Sequence, residues 1–123
     1  MSTAAQIAAF TRTVADEQTI WLLEFVADRS LLTWENEDGS SVLPVWSSRS
    51  RAELSIKRIQ EEVEEVTASA ISLDRFKTEF VPKFRETALL LGPNWAGENL
   101  TGWSLTPEDL FHRIQDRMNK HDA

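Results

Sequence analysis

A 123-residue chain with no cysteine and only two histidines has few groups that could do chemistry. His112 and His121 stand nine residues apart, a spacing that matches neither one turn nor two full turns on one helix face. A zinc site asks for three or four ligands at tight helical or turn spacing, so no metal or cofactor is expected. His112 lies one turn before Asp116, which reads as an ordinary surface pair. Ser40, Ser41, Ser47, Ser48 and Ser50 are plentiful hydroxyls, but none sits in a Gly-x-Ser-x-Gly elbow, and His112 is the one candidate base. Capping and turn roles account for most of these serines. Glu61, Glu62, Glu64 and Glu65 look like a doubled acid pair. Glycoside hydrolysis needs two carboxyls in a cleft, one with a raised pKa, whereas a dense acidic run is usually a solvated surface. No catalytic residue is assigned.

Two arginines stand out. Arg49 and Arg51 fall near a helix start, where cations oppose the macrodipole at a cost of about 0.3–1 kcal/mol. Something can offset that cost: an anion or acidic partner held beside Trp46, or a screened pair with Glu53 that contributes little. Arg49→Glu with Arg51→Glu should then leave folding intact and weaken partner binding, as measured by calorimetry. The stretch "LGPNWAGENLTGW" (91–103) gathers three of the four glycines and two of the five tryptophans. A phosphate loop would run directly into a helix and usually carry a lysine. This stretch instead reads as a hairpin, with Trp95 and Trp103 on its arms over the core and Gly97 in the turn. Gly92 and Gly102 would allow a close neighbour or a bulge. Between the two rings Glu98 is the one charge, so base stacking is not expected. Asn94 remains as a polar contact. The candidate partner or ligand contacts are therefore Trp46, Arg49, Arg51 and Asn94.

These residues must be positioned by one domain. A length of 123 residues suffices to bury a core without disulfides or metals, and 41% hydrophobic with 27% charged residues argues against wholesale disorder. The first twenty residues lack a basic start and apolar run, and no stretch nears the roughly 20 apolar residues of a membrane span. A cytoplasmic location is expected. The net charge of −7 opposes a general grip on nucleic acid.

Along the chain, Ile7, Phe10 and Val14 have helical spacing, with Thr3 as a cap and the helix ending near residue 17. "TIWLLEFV" (19–26) is apolar on both faces, as an interior strand would be, and "LLTW" (31–34) can pair near it. Asp38-Gly39 signals a turn before "VLPVW" (42–46), where Pro44 predicts an edge strand or an exit from the sheet. Ser50 and Glu53 have capping-box spacing ahead of a helix expected to end between about Gln60 and Glu65. An extended "VTASAISL" follows, and Ser72 caps a helix striped by Leu73, Phe76, Phe80 and Phe84, which Pro82 should break or kink. "ALLLGPNW" and "LTGWSL" read as strands. Thr106-Pro107-Glu108-Asp109 starts a last helix with Leu110, Ile114 and Met118 buried, and residues 119–123 form a frayed tail. The order predicts one α+β domain: a small antiparallel or mixed sheet, helices mainly on one face, and a C-terminal helix.

Three pieces, "LPVWSSRSRAE", "ISLDRFKTEFVPKF" and "GPNWAGENLTGWSLTPEDL", in this order and at these distances, resemble the bacterial domain-of-unknown-function family 2750. The resemblance runs from about Ile20 to Ile114. Pro93, where the family more often has a β-branched residue, and Trp103, where it has a smaller ring, depart from the pattern. The resemblance implies a compact α+β domain of the bacterial cytoplasm and carries no assigned activity.

Two functions from different classes fit. The first is a protein-interaction module of accessory or immunity type, without catalysis, whose acidity steers a basic partner protein. The second is a small-molecule-binding domain or enzyme with a closed pocket near Trp46, Arg49 and Asn94. A homo-oligomer built on an edge near Pro44 or Val63–Val66 is a third possibility.

Overall fold

The computed structural model describes residues 3–36, 38–60, 63–96 and 103–122, with side chains for all of these except 3 and 120–122. The cap expected from Thr3, the acids Glu61 and Glu62, the hairpin turn with Gly97, Glu98 and Gly102, and the His121 side chain lie outside the described residues.

Helix α1 (Thr3–Glu17) is alanine-rich and buries Ile7, Phe10 and Val14. Gln18 ends it at φ 58°, its N–H held by the Val14 carbonyl at 2.8 Å, and turns the chain into β1 (Thr19–Phe25). Strand β1 pairs antiparallel with β4 (Val66–Ser72), from Thr19 opposite Ser72 to Phe25 opposite Val66. Its other edge exchanges hydrogen bonds with Trp46 in both directions (2.8 and 2.9 Å) and accepts from Leu32 at 2.9 Å. The strand is interior, and both its faces are apolar because each packs into a core: Ile20 and Leu22 enter one, while Leu23, with the half-buried Trp21 and Phe25, enters the other.

The second sheet has β3 (Ser41–Val45) at its centre, antiparallel to β2 (Trp34–Glu35) and parallel to β5 (Leu90–Pro93). Pro44 therefore stands in a central strand and not at an edge. Backbone polar groups alternate sides along a strand. Val45 offers its carbonyl to Asn94 on the β5 side, and Trp46 bonds Trp21 on the other. Pro44 thus turns its donor-less side to the seam between the β2 pairing at Val42 and the β1 pairing at Trp46, where no ladder bond is lost.

Helix α2 (Arg49–Ile59) begins two residues earlier than the Ser50–Glu53 spacing suggests. Ser48 is the cap: it keeps extended angles (φ −147°, ψ 156°), and its hydroxyl accepts from the Arg51 N–H at 3.3 Å. Ser50 is already inside the first turn. The helix ends at Ile59 with Gln60 as its C-cap, and β4 is the extended segment expected after it.

Ser72 caps α3 (Leu73–Arg75), its hydroxyl accepting from the Arg75 N–H at 3.2 Å. The chain continues through a π turn (Phe76–Phe80) into α4 (Val81–Thr87). Pro82 does not break the helix. A proline clashes with the carbonyl four residues back, and widening the preceding turn, so that the Val81 N–H reaches the Phe76 carbonyl, relieves that clash. The phenylalanine stripe holds: Phe76 lies 5.8 Å from Phe80, 5.7 Å from Phe84 and 5.7 Å from Phe111 between ring centres.

Leu91 of β5 pairs antiparallel with Leu105 through two 2.8 Å bonds. Thr106 then caps α5 (Pro107–Asp122), accepting from the Asp109 N–H at 3.1 Å. Leu110 and Ile114 are buried and Met118 half-buried. This helix runs through Asp122. The fold is α+β. Helices α1, α4 and α5 cover one face with Leu43, Val45 and Leu91, and α2 covers the other with Leu23, Leu32, Val42, Trp46 and Trp95.

Candidate functional site

The ends of parallel strands β3 and β5 lie side by side, and this brings Trp46, Ser47, Asn94 and Trp95 together. Trp46 is 1% exposed, and its indole N–H donates to the Trp95 carbonyl at 2.9 Å. The Trp95 indole donates in turn to the Trp103 carbonyl at 3.0 Å. Each ring fills the second core while its polar edge ties one segment to the next. Trp95 lies flat over Gly92: a methyl group built there would come within 2.6 Å of its Nε1, so the close neighbour expected at Gly92 is the tryptophan three residues on.

Asn94 is 1% exposed and takes the left-handed conformation (φ 52°), which asparagine tolerates better than most residues. Its Oδ1 accepts from the Ser47 N–H (2.9 Å) and hydroxyl (3.2 Å). Its Nδ2 donates to the Ser47 hydroxyl (3.1 Å) and to the Gln6 carbonyl (3.5 Å). These bonds use the full capacity of the amide and leave nothing for a ligand. Asn94 is a latch that ties α1 to the two strand ends. The buried side-chain Oε1 of Gln6 has no hydrogen-bond partner among the described residues.

Trp46, Asn94, Trp95 and Ala96 line one small cleft of about 60 Å³ together with Arg51, Leu54, Ser55 and Arg58 of α2. Small-molecule sites commonly measure some 300–1,000 Å³. Arg49 does not line it. Arg49 turns along the helix to Glu53, its Nε 2.8 Å from Oε1, with both side chains more than half exposed. That pair accounts for a cation at the positive helix end, and exposed i,i+4 pairs contribute about 0.3–0.5 kcal/mol. Arg51 and Arg58 form no ion pair among the described residues. Leu54, between them, is 54% exposed.

A match to the family described as "Protein of unknown function (DUF2750)" spans residues 7–114. The chain belongs to this family. No curated protein and no solved structure matches this DUF2750 chain.

The sequence thus brought out Trp46, Arg51 and Asn94, which the DUF2750 fold gathers, and Arg49, which it does not. Leu54 and Arg58 went unnoticed, although 51, 54, 55 and 58 have the i, i+3, i+4, i+7 spacing of a single helix face. Among the described residues no group of three His, Asp or Glu side chains could hold a metal ion, and no helix is long and apolar enough to cross a membrane. His112 and Asp116 sit 3.6 Å apart on the exposed face of α5. Trp103 is 55% exposed, so its ring does not cover the core as expected of the hairpin arm; its backbone is pinned by Trp95 while the ring points out.

Proposed function

We propose that this DUF2750 chain is a protein-interaction module of accessory or immunity type, acting in the bacterial cytoplasm without catalysis of its own. In this reading the outer face of α2 receives an acidic, partly apolar segment of the partner. The observation that carries it is the row Arg51, Leu54, Arg58: an exposed leucine flanked by two cations on a chain whose net charge is −7. An apolar anchor inside a charged rim is the usual make-up of an interface centre, and opposite charge on the partner's segment supplies local complementarity. The small volume of the cleft and the saturated Asn94 amide favour this reading over an enclosed ligand site.

The test is affinity capture from the native host with the wild-type chain and an Arg51→Glu/Leu54→Asp variant. Both side chains are at least partly exposed, so circular dichroism should stay unchanged. The expected result is a discrete partner retained by the wild type and lost by the variant. An identical set of captured proteins would contradict the reading.

A further inference from the structure

We propose that the groove between α1 and α5 is a second docking site, built for an acidic helical segment of another protein. Two adjoining hollows of about 320 and 230 Å³ share Ala8, Thr11 and Arg113 and so form one continuous channel. On the α1 side, Ala4 and Ala8 are exposed and one turn apart. With no bulk beyond Cβ they let a third helix approach closely. From Ala4 to Arg12 the wall is about 12 Å long at 1.5 Å per residue, enough for two turns of a bound helix.

Charge and an anchor define the occupant. Arg12, Arg113 and Arg117 line the channel against one acid, Asp116. Arg113 is engaged by Asp109 at 3.2 Å, whereas Arg12 and Arg117 form no ion pair among the described residues. At the end of the channel stands Trp103, the most exposed of the large apolar side chains described, on a backbone already fixed by the Trp95 indole. A rigidly presented tryptophan beside arginines is the composition from which binding hot spots are drawn. The complement is a helix with carboxylates spaced one turn apart and one leucine or phenylalanine packed on Trp103.

Other occupants fit less well. In an isologous dimer the same patch meets itself, which would bring two sets of arginines face to face. Nucleic acid binds through a long run of phosphate contacts, and the channel offers three arginines, one already engaged by Asp109. The channel lies on the opposite face of the sheet from α2, so it is independent of the site proposed above.

The test uses the full chain and a fluorescein-labelled 16-residue helical peptide of Glu, Ala and Leu, with a Lys-for-Glu counterpart, followed by anisotropy. The acidic peptide should bind. Arg12→Glu/Arg117→Glu should weaken it at least tenfold and Trp103→Ala at least fivefold, and the charge-reversed variant should gain affinity for the lysine peptide. Arg51→Glu/Leu54→Asp should change nothing. Equal affinity in all variants would overturn the proposal, as would an equal loss in the α2 variant. So would binding of a 16-nucleotide single strand in preference to the peptide, or a wild-type dimer in ultracentrifugation that Trp103→Ala dissolves.

Discussion

Replacing Asn94 by alanine tests whether the strand ends are held by the latch described above. The substitution leaves the Ser47 N–H, in a residue 1% exposed, without its 2.9 Å acceptor, and the Gln6 carbonyl without its donor. Each buried polar group left unmade costs about 1–3 kcal/mol. Alanine must also hold φ near 52°, which costs an ordinary residue about 1–2 kcal/mol. The sum is a loss of about 3–8 kcal/mol, a large part of the 5–15 kcal/mol typical of a domain. Asn94→Gly loses the same bonds but not the backbone strain. After its extra unfolded-state entropy it should be about 0.5–1 kcal/mol better than alanine. Urea unfolding of both variants gives the numbers directly. A double-mutant cycle with Ser47→Ala should return a coupling of about 0.5–3 kcal/mol. An alanine variant costing under about 1 kcal/mol, or glycine worse than alanine, would refute the reasoning.

The same geometry makes three further predictions. Ala88 closes α4 with φ 55° and is exposed, so Ala88→Gly should stabilise by about 0.5–1 kcal/mol, read as a Tm rise of a few degrees. Gly92→Ala should cost about 1–3 kcal/mol, because the added methyl overlaps the Trp95 ring; a drop in tryptophan fluorescence polarity contrast between folded and unfolded chain would accompany it. Three exposed carboxyls are held below their ordinary pKa. Asp28 and Asp38 each accept from the hydroxyl and then the N–H of the serine two residues on, and Glu108 from its own N–H and then Arg85. A carboxyl whose pKa falls on folding stabilises the fold above its unfolded value, and that stabilisation is lost as pH drops through the folded value. The urea midpoint should therefore be flat near neutrality and decline below about pH 4; a midpoint that rises on acidification would contradict this sign.

The elements most readable in the sequence are those whose neighbours leave no choice. β1 is apolar on both faces because each face packs into a core, and Thr106-Pro107-Glu108-Asp109 satisfies the free amides of α5 locally. Local rules failed where a distant element decided the outcome. Pro44 argues for an edge until it is known that the two sheets part opposite it. Pro82 argues for a break until the buried Phe76 and Phe84, packed on α5, make a widened turn cheaper than losing the stripe. Ser50 has the better capping-box spacing, but the Trp46–Trp21 pairing delivers the chain to α2 two residues earlier. At the candidate site, residue type alone marked Asn94 and Trp46 as available polar and aromatic groups. Burial and hydrogen bonding make both structural, and the exposed row of α2 carries the surface chemistry.

Photo-crosslinking from position 54 addresses the proposed role most directly. Leu54 is replaced by benzoylphenylalanine in the full chain, expressed in the native host, with a second probe at Val26, which is also exposed, on the turn after β1. The proposal predicts a covalent adduct with one partner protein from position 54 and not from 26. The crosslinked peptide should be rich in Asp and Glu, and the adduct should disappear when Arg51→Glu is added. The same adduct from both positions, or one from position 54 that survives Arg51→Glu unchanged, would contradict it.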